Sequence, residues 1–190
     1  MVKPFSYVTT VNARIRMSTP DDAPFVTAIE NDAELKQLLG GPSGKSQEFY
    51  RTFLSASEDL RFLIVESLAS GFPIGLCGLL TGSLSDDCEV RVILTKDFWG
   101  RGLGTEVATA LKKLAAELFP SKVLTAKAHP GNAPSLAIIS RLGLVPDGAV
   151  SSDSRDNGWL AFRAPLATAP SNQTMRPTAA RRRERLKDEL

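Results

Sequence analysis

The stretch that most constrains this chain runs from Phe98 to Glu106 and reads Phe-Trp-Gly-Arg-Gly-Leu-Gly-Thr-Glu. Glycines at alternate positions, Gly100, Gly102 and Gly104, let the main chain turn tightly, because glycine adopts left-handed backbone conformations at no steric cost. The stretch joins a strand-like segment to a segment with strong helical periodicity. Free N–H groups and the positive dipole end at the start of a helix both attract anions. The sequence therefore predicts a loop that holds a phosphate or pyrophosphate group.

The segments around this loop predict a mixed α/β domain. Three apolar segments form an antiparallel meander before the glycines, and a helix, a strand, a short helix and a hairpin follow them. A meander that leads into a β-α-β crossover implies a mixed sheet with helices on its faces. The predicted strands are 13–17, 60–66, 74–80, 88–94, 123–128, 144–150 and 159–166. The predicted helices are 19–41, with a break allowed, 47–54, 107–118 and 134–142.

The composition predicts one folded domain followed by a C-terminal tail. The chain has 190 residues, 43% of them hydrophobic, which is enough for a single α/β core, and we expect this domain to span residues 1–166. Residues 167–190 change to Ala, Pro, Ser and Thr and then to an arginine cluster, which predicts a flexible Arg-rich tail. Residues 167–190 carry a net charge of +3 and the whole chain a net charge of +2, so residues 1–166 have a net charge near −1. A domain with this charge is not expected to bind nucleic acid. The tail remains the one candidate segment for such binding.

The sequence favours a cytoplasmic protein. Cys77 and Cys88 fall in predicted strands without metal-ligand spacing, which indicates reduced, buried thiols and no metal site. No signal-peptide pattern and no run of about eighteen apolar residues is present. The last four residues, Lys-Asp-Glu-Leu, spell a retrieval signal of the endoplasmic reticulum, but without a signal peptide we expect this ending to be a coincidence.

A second glycine-rich segment resembles a nucleotide-binding motif. Residues 40–46 read Gly-Gly-Pro-Ser-Gly-Lys-Ser and resemble a P-loop, in which Lys45 and Ser46 would contact phosphate and magnesium. The first glycine of that motif would have to stand where Leu39 stands. The segment also follows a charged helical stretch instead of a buried strand. We therefore favour a connector between two helices.

The motifs together resemble a known family. The run from Val92 to Glu106, the Asn-x-x-Ser spacing of Asn132 and Ser135, and Arg-Leu-Gly-Leu at residues 141–144 are similar to the GNAT superfamily of acetyl-CoA-dependent N-acetyltransferases. Trp-Gly-x-Gly-x-Gly-Thr-Glu resembles its branch of ribosomal-protein N-terminal acetyltransferases, in which a tryptophan such as Trp99 is usual. The resemblance covers residues 13–166. It implies an α/β (α+β) fold with a mixed, mostly antiparallel sheet flanked by about four helices.

The resemblance also implies a set of coenzyme-binding residues. Amides from Arg101 to Thr105 would hold the pyrophosphate of acetyl-CoA, and Leu94 and Thr95 would pair with its pantetheine arm. An amide in the region of Ile93 and Leu94 would stabilise the thioester oxyanion. Asn132 would contact the pantetheine arm, or else only cap the following helix. The full set of expected coenzyme contacts is Ile93, Leu94, Thr95, Trp99, Gly100, Arg101, Gly102, Leu103, Gly104, Thr105, Asn132 and Ser135.

The sequence contains several candidate catalytic residues. An ammonium group cannot attack a thioester until it is deprotonated, so the reaction needs a base. Glu89 is the first candidate, with a structural ion pair to Arg91 as the alternative; His129 is the second candidate and Glu66 the third. Many relatives have a tyrosine that protonates the departing thiolate seven residues after the asparagine, where this chain has Ile139. Ser135 is the substitute acid that we predict.

The expected activity is direct transfer of acetyl from acetyl-CoA to a primary amine, without a covalent enzyme intermediate. The resemblance favours a protein N-terminal α-amine as the acceptor, and a small-molecule amine such as an antibiotic or a polyamine is the alternative. The missing tyrosine also leaves open a module that binds acyl-CoA without catalysis. The sequence leaves the choice between a monomer and a homodimer open.

Overall fold

The computed structural model describes residues 7–35, 44–55, 60–81, 86–147 and 158–166. Its strands are β1 (Tyr7–Thr9), β2 (Ala13–Met17), β3 (Leu63–Ser67), β4 (Pro73–Thr81), β5 (Asp87–Leu94), β6 (Val123–Ala128), β7 (Val145–Pro146) and β8 (Leu160–Pro165). Its α-helices with described bounds are α1 (Ala23–Asn31), α2 (Gln47–Ser55), α3 (Leu103–Leu118) and α4 (Ala133–Arg141). The strands form one sheet in the order β1-β2-β3-β4-β5-β6-β8-β7. Every neighbouring pair is antiparallel except β5 and β6, which are parallel.

This topology confirms the predicted mixed, mostly antiparallel sheet with flanking helices. Strands β2 and β6 have the predicted bounds. Most other predicted elements are present with ends shifted by a few residues, but the predicted helix 19–41 ends ten residues early, at Asn31, and the end of the predicted strand 144–150 lies outside the described residues. The sequence prediction missed β1, whose three residues are too few to produce a clear alternating pattern. In the final hairpin, β8 lies between β6 and β7.

The first helix is shorter than predicted. Helix α1 ends at Asn31, and Asp32 follows in an extended conformation. The Oδ1 atom of Asp32 accepts hydrogen bonds from the N–H groups of Glu34, at 3.0 Å, and Leu35, at 2.8 Å. Aspartate in this position satisfies the free amides of a new helical turn, which residues 33–35 form. The predicted helix therefore breaks at Asp32, because its side chain caps the turn that follows.

Two hydrophobic cores cover the two faces of the sheet. Alternate strand residues point to opposite faces, so Leu63 and Val65 join one core while Ile64 joins the other. The larger core packs α3 and α4 against the sheet, with Val107 and Leu111 fully buried. The smaller core packs α1 and α2 against the opposite face. A ligand in the sheet therefore has a helical layer on either side of it.

Only residues 44–46 of the P-loop-like segment lie within the described residues, so the predicted connector is tested only at its end. Within the described residues 44–46, the Oγ atom of Ser46 accepts the N–H of Phe49 at 3.2 Å and so caps α2. The side chain of Asn31 donates to the carbonyl of Lys45 at 3.2 Å. These contacts attach the segment to the end of α1 and the start of α2.

Several predictions fall outside the described residues. They concern the Arg-rich tail at 167–190, the stop at Gly40 and Gly41, and the tip of the last hairpin at Asp156 and Asn157. Within the described ranges, none of the helices combines the length and the apolar character that crossing a membrane requires. The same ranges contain no cluster of three His, Cys, Asp or Glu side chains suited to a metal ion.

Candidate active site

The sheet opens between its two parallel strands. Strands β5 and β6 pair at only three positions, of which Glu89 opposite Thr125 is the last. Beyond Glu89, no strand in the described part of the chain pairs with this edge of β5. The two strands therefore diverge and leave a cleft whose wall is residues 90–94.

Main-chain amides of β5 point into this cleft. The N–H of Thr95 donates to the carbonyl of Ile74 on β4, at 2.9 Å. Since successive residues of a strand direct their N–H groups to opposite sides, the amides of Val92 and Leu94 point away from β4 and toward the cleft. The carbonyl of Leu94 accepts the indole N–H of Trp99 at 2.7 Å. The amide that the sequence assigns to the region of Ile93 and Leu94 is thus that of Leu94, because the amide of Ile93 points toward β4.

A groove of about 1200 Å³ extends from the cleft along α3 and α4. Its lining brings together most of the predicted coenzyme contacts with residues of the β1–β2 turn and the last turn of α4. The predicted residues in the lining are Ile93, Leu94, Trp99, Gly100, Gly102, Leu103, Gly104, Thr105, Asn132 and Ser135. The structure therefore assembles around one groove residues that are more than forty positions apart in the sequence.

The glycine loop ends where α3 begins. Gly102 has φ +79° and is the N-cap residue of α3, and a side chain added there would meet no atom within 4 Å. Its left-handed conformation, and not crowding, is what requires glycine. Gly104 differs, because a Cβ atom there would lie 2.8 Å from Cδ1 of Ile138 on α4. Gly102 thus turns the chain so that the first amides of α3 face the groove, and Gly104 lets α4 approach closely.

Two predicted coenzyme contacts lie outside this lining. The hydroxyl of Thr95, like its N–H, donates to the carbonyl of Ile74, at 3.2 Å. The guanidinium of Arg101 lies over the ring of Phe98, 5.5 Å from its centroid. The structure therefore gives Thr95 a role in attaching the strand end to β4, and it directs the side chain of Arg101 toward Phe98.

Sequence reasoning missed a contact that closes one end of the groove. The carboxylate of Glu106, in the first turn of α3, accepts the N–H of Asn12 at 2.7 Å and its Nδ2 at 2.9 Å. Burial alone would raise the pKa of Glu106, but hydrogen bonds from the β1–β2 turn outweigh it and hold the pKa below its ordinary value. Val8 to Val11 line the groove next to this contact. Glu106 thus fixes the β1–β2 turn as a wall of the groove.

A smaller cavity of about 190 Å³ occupies the cleft. Its lining includes Glu89, Arg91 and Trp159, and it shares Asn132 and Ser135 with the larger groove. Glu89 is partly buried and lies at the point where β5 and β6 separate. The predicted alternative, an ion pair between Glu89 and Arg91, is absent from the described part of the chain. The Glu89 carboxylate therefore reaches the cleft without a neutralising partner there.

Asn132 and Ser135 stand at the junction of the two cavities. The Oδ1 atom of Asn132 accepts the N–H of Ser135 at 3.1 Å, so Asn132 caps α4 as the second of the predicted alternatives states. Its side chain is 9% exposed and still lines both cavities, because the cap uses only the carbonyl end of the amide. Capping and ligand contact are therefore compatible at this residue. The Ser135 hydroxyl has no hydrogen bond within the described residues, so it can donate one to a group in the cleft.

His129 takes part in the loop between β6 and α4. Its Nδ1 atom accepts the N–H of Gly131 at 3.1 Å, and its ring meets Trp159 edge to face. The residue is exposed and is absent from the lining of both cavities. The structure thus favours the loop role that competes with the role of a base.

Glu66 is occupied by an ion-pair network. Its carboxylate accepts Nε of Arg16 at 2.6 Å, and the same guanidinium contacts Asp22 at 2.8 Å. Burial alone would raise the pKa of Asp22, but hydrogen bonds from Arg16 and Thr19 hold it below its ordinary value. Glu66 therefore ties β3 to the start of α1, and neither cavity includes it.

The two cysteines are buried thiols, as predicted. Burial raises the pKa of Cys77, and it raises the pKa of Cys88 to about 11. A thiol with a raised pKa is a poor nucleophile at neutral pH. The site therefore offers no cysteine nucleophile from these two positions.

Known proteins share this architecture. The family model described as "Acetyltransferase (GNAT) domain" matches residues 13–145. No curated protein sequence matches this chain significantly. Among solved structures, RimL, a ribosomal L7/L12 alpha-N-protein acetyltransferase in complex with coenzyme A, superposes with a TM-score of 0.72 at 16% identity, over 86% of this chain and 100% of that one.

Two further solved structures have the same fold. The ribosomal-protein-S5-alanine acetyltransferase from Vibrio fischeri superposes with a TM-score of 0.71 at 15% identity, over 85% of this chain and 97% of that one. An acetyltransferase from Agrobacterium tumefaciens gives 0.69 at 24% identity, over 86% and 96%. At these identities the structures establish the fold alone. Because the domain model itself covers most of the chain, this protein belongs to the GNAT family of acetyltransferases.

Proposed function

We propose that this protein transfers the acetyl group of acetyl-CoA to a protein N-terminal α-amine. The observation that carries the proposal is the meeting of two cavities in the cleft between β5 and β6, with Glu89 where the strands separate and Ser135 in both linings. One cavity can hold the coenzyme and the other the amine. The cleft brings their reactive groups together without a covalent intermediate.

The larger groove suits coenzyme A in its dimensions and its polar groups. The first amides of α3 and the positive end of its dipole offer a site for the pyrophosphate. The pantetheine arm would then run along the open edge of β5, where Asn132 can donate from Nδ2. This arrangement brings the thioester beside the amide of Leu94 and the hydroxyl of Ser135.

The reaction then needs three proton transfers, two from the acceptor nitrogen and one to the sulfur of the coenzyme. Glu89 removes a proton from the acceptor ammonium, and the free amine attacks the thioester carbonyl carbon. The amide of Leu94 stabilises the negative oxygen that develops as the C–N bond forms. The attacking nitrogen then gives up its second proton to water. When the C–S bond breaks, the Ser135 hydroxyl protonates the departing thiolate and is reprotonated from water.

We choose a protein N-terminus as the acceptor because of two similarities to N-terminal acetyltransferases. The branch-like Trp-Gly-x-Gly-x-Gly-Thr-Glu motif at residues 99–106 supports it, as do the fold relatives that acetylate ribosomal proteins at an α-amine or alanine. The smaller cavity, at about 190 Å³, is large enough for a terminal residue and little more. This size favours an acceptor that inserts only its terminal residue into the cavity.

A direct assay tests the proposal. Purified protein is incubated with acetyl-CoA and a panel of peptides, lysine-containing peptides with blocked N-termini, polyamines and aminoglycosides, while release of free thiol is followed. We expect thiol release with free N-termini, and mass spectrometry should locate the acetyl group on the α-amine. Turnover on small amines alone would contradict the acceptor class, and tight acetyl-CoA binding without turnover on any amine would contradict catalysis.

The contact between Glu106 and Asn12 yields a further prediction. The substitution Glu106→Gln replaces one acceptor oxygen by a donor, leaves an Asn12 donor unsatisfied and should loosen the groove wall. We expect acetyl-CoA binding to weaken by about tenfold, which calorimetry can measure. Glu117→Gln is the matched control, because Glu117 lies about three turns further along α3 and lines the same groove.

The two variants distinguish a structural role of the Glu106 side chain from the effect of its charge on coenzyme binding. Both remove one negative charge near an anionic ligand, which by itself should strengthen binding. If Glu106 acts through the β1–β2 turn, only Glu106→Gln weakens binding, while Glu117→Gln leaves it unchanged or tighter. Equal effects of both variants would contradict a role for Glu106 in fixing the wall.

A further inference from the structure

Arg91 occupies an unusual place in the smaller cavity. It lies two residues after Glu89 on β5, so both side chains project from the same face of the sheet. Ile93, the next residue on this face, belongs to the core under α1 and α2. Glu89 and Arg91 therefore face away from α3 and α4, which carry the coenzyme groove. In the proposed function, Arg91 therefore faces the amine-bearing ligand from the side opposite the coenzyme groove, in a cavity whose lining also includes Ala108 and Ile139 of α3 and α4.

Among the residues that the structure describes, Arg91 has no hydrogen-bond or ion-pair partner. Its cross-strand partner on β4 is Gly78, which has no side chain, and β6 has already diverged on the other side. The residue is exposed, and within the described residues its guanidinium has no hydrogen bond or ion pair. A strand therefore holds an unpaired cation at the wall of a cavity of about 190 Å³.

We propose that Arg91 selects acceptors with an acidic side chain at the second residue of their N-terminus. The inference rests on the proposed function, since it concerns the acceptor of that same reaction. Residues two apart on a strand are about 7 Å apart, which is close to the span from an α-amine to a carboxylate one residue further along a peptide. Glu89 would then receive the ammonium group while Arg91 binds the carboxylate.

The chemistry of the guanidinium fits this role. Its planar fork donates two parallel hydrogen bonds to a carboxylate, a geometry that lysine cannot provide. Arg91 also balances the charge of that carboxylate, which would otherwise raise the pKa of the nearby ammonium group and reduce the fraction of free amine. Binding of the acidic side chain and deprotonation of the amine are therefore compatible.

Three peptides that differ only at the second residue test the inference. Their sequences begin Ser-Asp, Ser-Asn and Ser-Lys, and kcat/KM is measured for each with saturating acetyl-CoA. We expect the wild-type protein to prefer Ser-Asp over its isostere Ser-Asn by about tenfold. Arg91→Gln should bring this ratio close to one, and Arg91→Glu should make Ser-Lys the best of the three peptides.

Arg14→Gln is the control for the loss of an arginine. Arg14 lies on β2, away from both linings, and its substitution should leave the Asp-to-Asn ratio unchanged. Acetyl-CoA affinity, measured for every variant, verifies that the fold and the coenzyme groove are intact. The wild-type ratio alone tests the inference if an Arg91 variant does not fold.

The outcomes distinguish a failure of the proposed function from a failure of the role proposed for Arg91. If no peptide or other amine is acetylated, the proposed function itself fails. If peptides are acetylated but the wild-type protein treats Ser-Asp and Ser-Asn alike, only the role of Arg91 is overturned. An acid preference that survives unchanged in Arg91→Gln would likewise overturn it.

Discussion

Replacing Gly102 with valine should abolish acetyl-CoA binding. Gly102 has φ +79°, a conformation that costs an ordinary residue about 1–2 kcal/mol and a β-branched residue more. The space around Gly102 is open, so valine acts on the backbone and turns the first amides of α3 away from the ligand. Loss of two charge-assisted hydrogen bonds corresponds to a decrease in affinity of at least about 100-fold, which calorimetry can detect.

Two other variants separate this effect from general destabilisation. Gly71→Val places the same residue at φ +72°, also in open space, but in the turn between β3 and β4. It should cost similar stability and leave acetyl-CoA affinity unchanged. Gly102→Asn should retain more affinity than Gly102→Val, because asparagine tolerates the left-handed conformation. Unchanged affinity in Gly102→Val would show that this loop does not hold the coenzyme.

Replacing Glu89 with glutamine should lower kcat by about 100-fold or more, the usual contribution of a general base. Glutamine preserves the size of the side chain and cannot accept the proton. The deficit should be greatest at low pH, where most of the acceptor is ammonium, and should narrow above the pKa of an α-amine, about 7.7 to 8. Rate measurements across this pH range, with acetyl-CoA held saturating, provide the test.

His129→Asn is the comparison for Glu89→Gln. Asparagine can accept the N–H of Gly131 in place of Nδ1, so the loop should persist and kcat should change little. A pH profile for Glu89→Gln that matches the wild-type profile would exclude Glu89 as the base. A large loss in His129→Asn, with the loop intact, would transfer that role to His129.

The coenzyme groove was largely predictable because its signals are local. A turn that needs left-handed glycine, followed at once by an apolar helical stripe, specifies a strand-loop-helix unit through backbone sterics and periodicity alone. The Asn-x-x-Ser spacing of Asn132 and Ser135 similarly predicts a helix cap, and the structure contains that cap. These local signals predicted the anion-binding loop and the cap, and the family resemblance extended the prediction to ten of the residues that line the larger groove.

The missed contacts arise from long-range pairing. Asn12 and Glu106 are 94 positions apart, and nothing near either residue indicates the other. Glu66 and His129 are plausible bases in the sequence, since both precede turns near predicted strand ends. The partner of Glu66, Arg16, becomes evident only once β2 lies beside β3. The contact of His129 is the local exception, because its partner Gly131 is two residues away and is brought to it by the turn of the loop after β6.

By itself, the sequence determined the order of the elements after β1, the mixed sheet and the loop from Phe98 to Glu106, because steric preference and hydrophobic alternation act over a few residues. Only the tertiary structure decided where β5 and β6 separate, since strand pairing depends on which edges meet. That separation leaves Glu89 and Arg91 at an open cleft and joins it to the groove beside α3. The roles that we propose for these two residues depend on this separation, which no local pattern encodes.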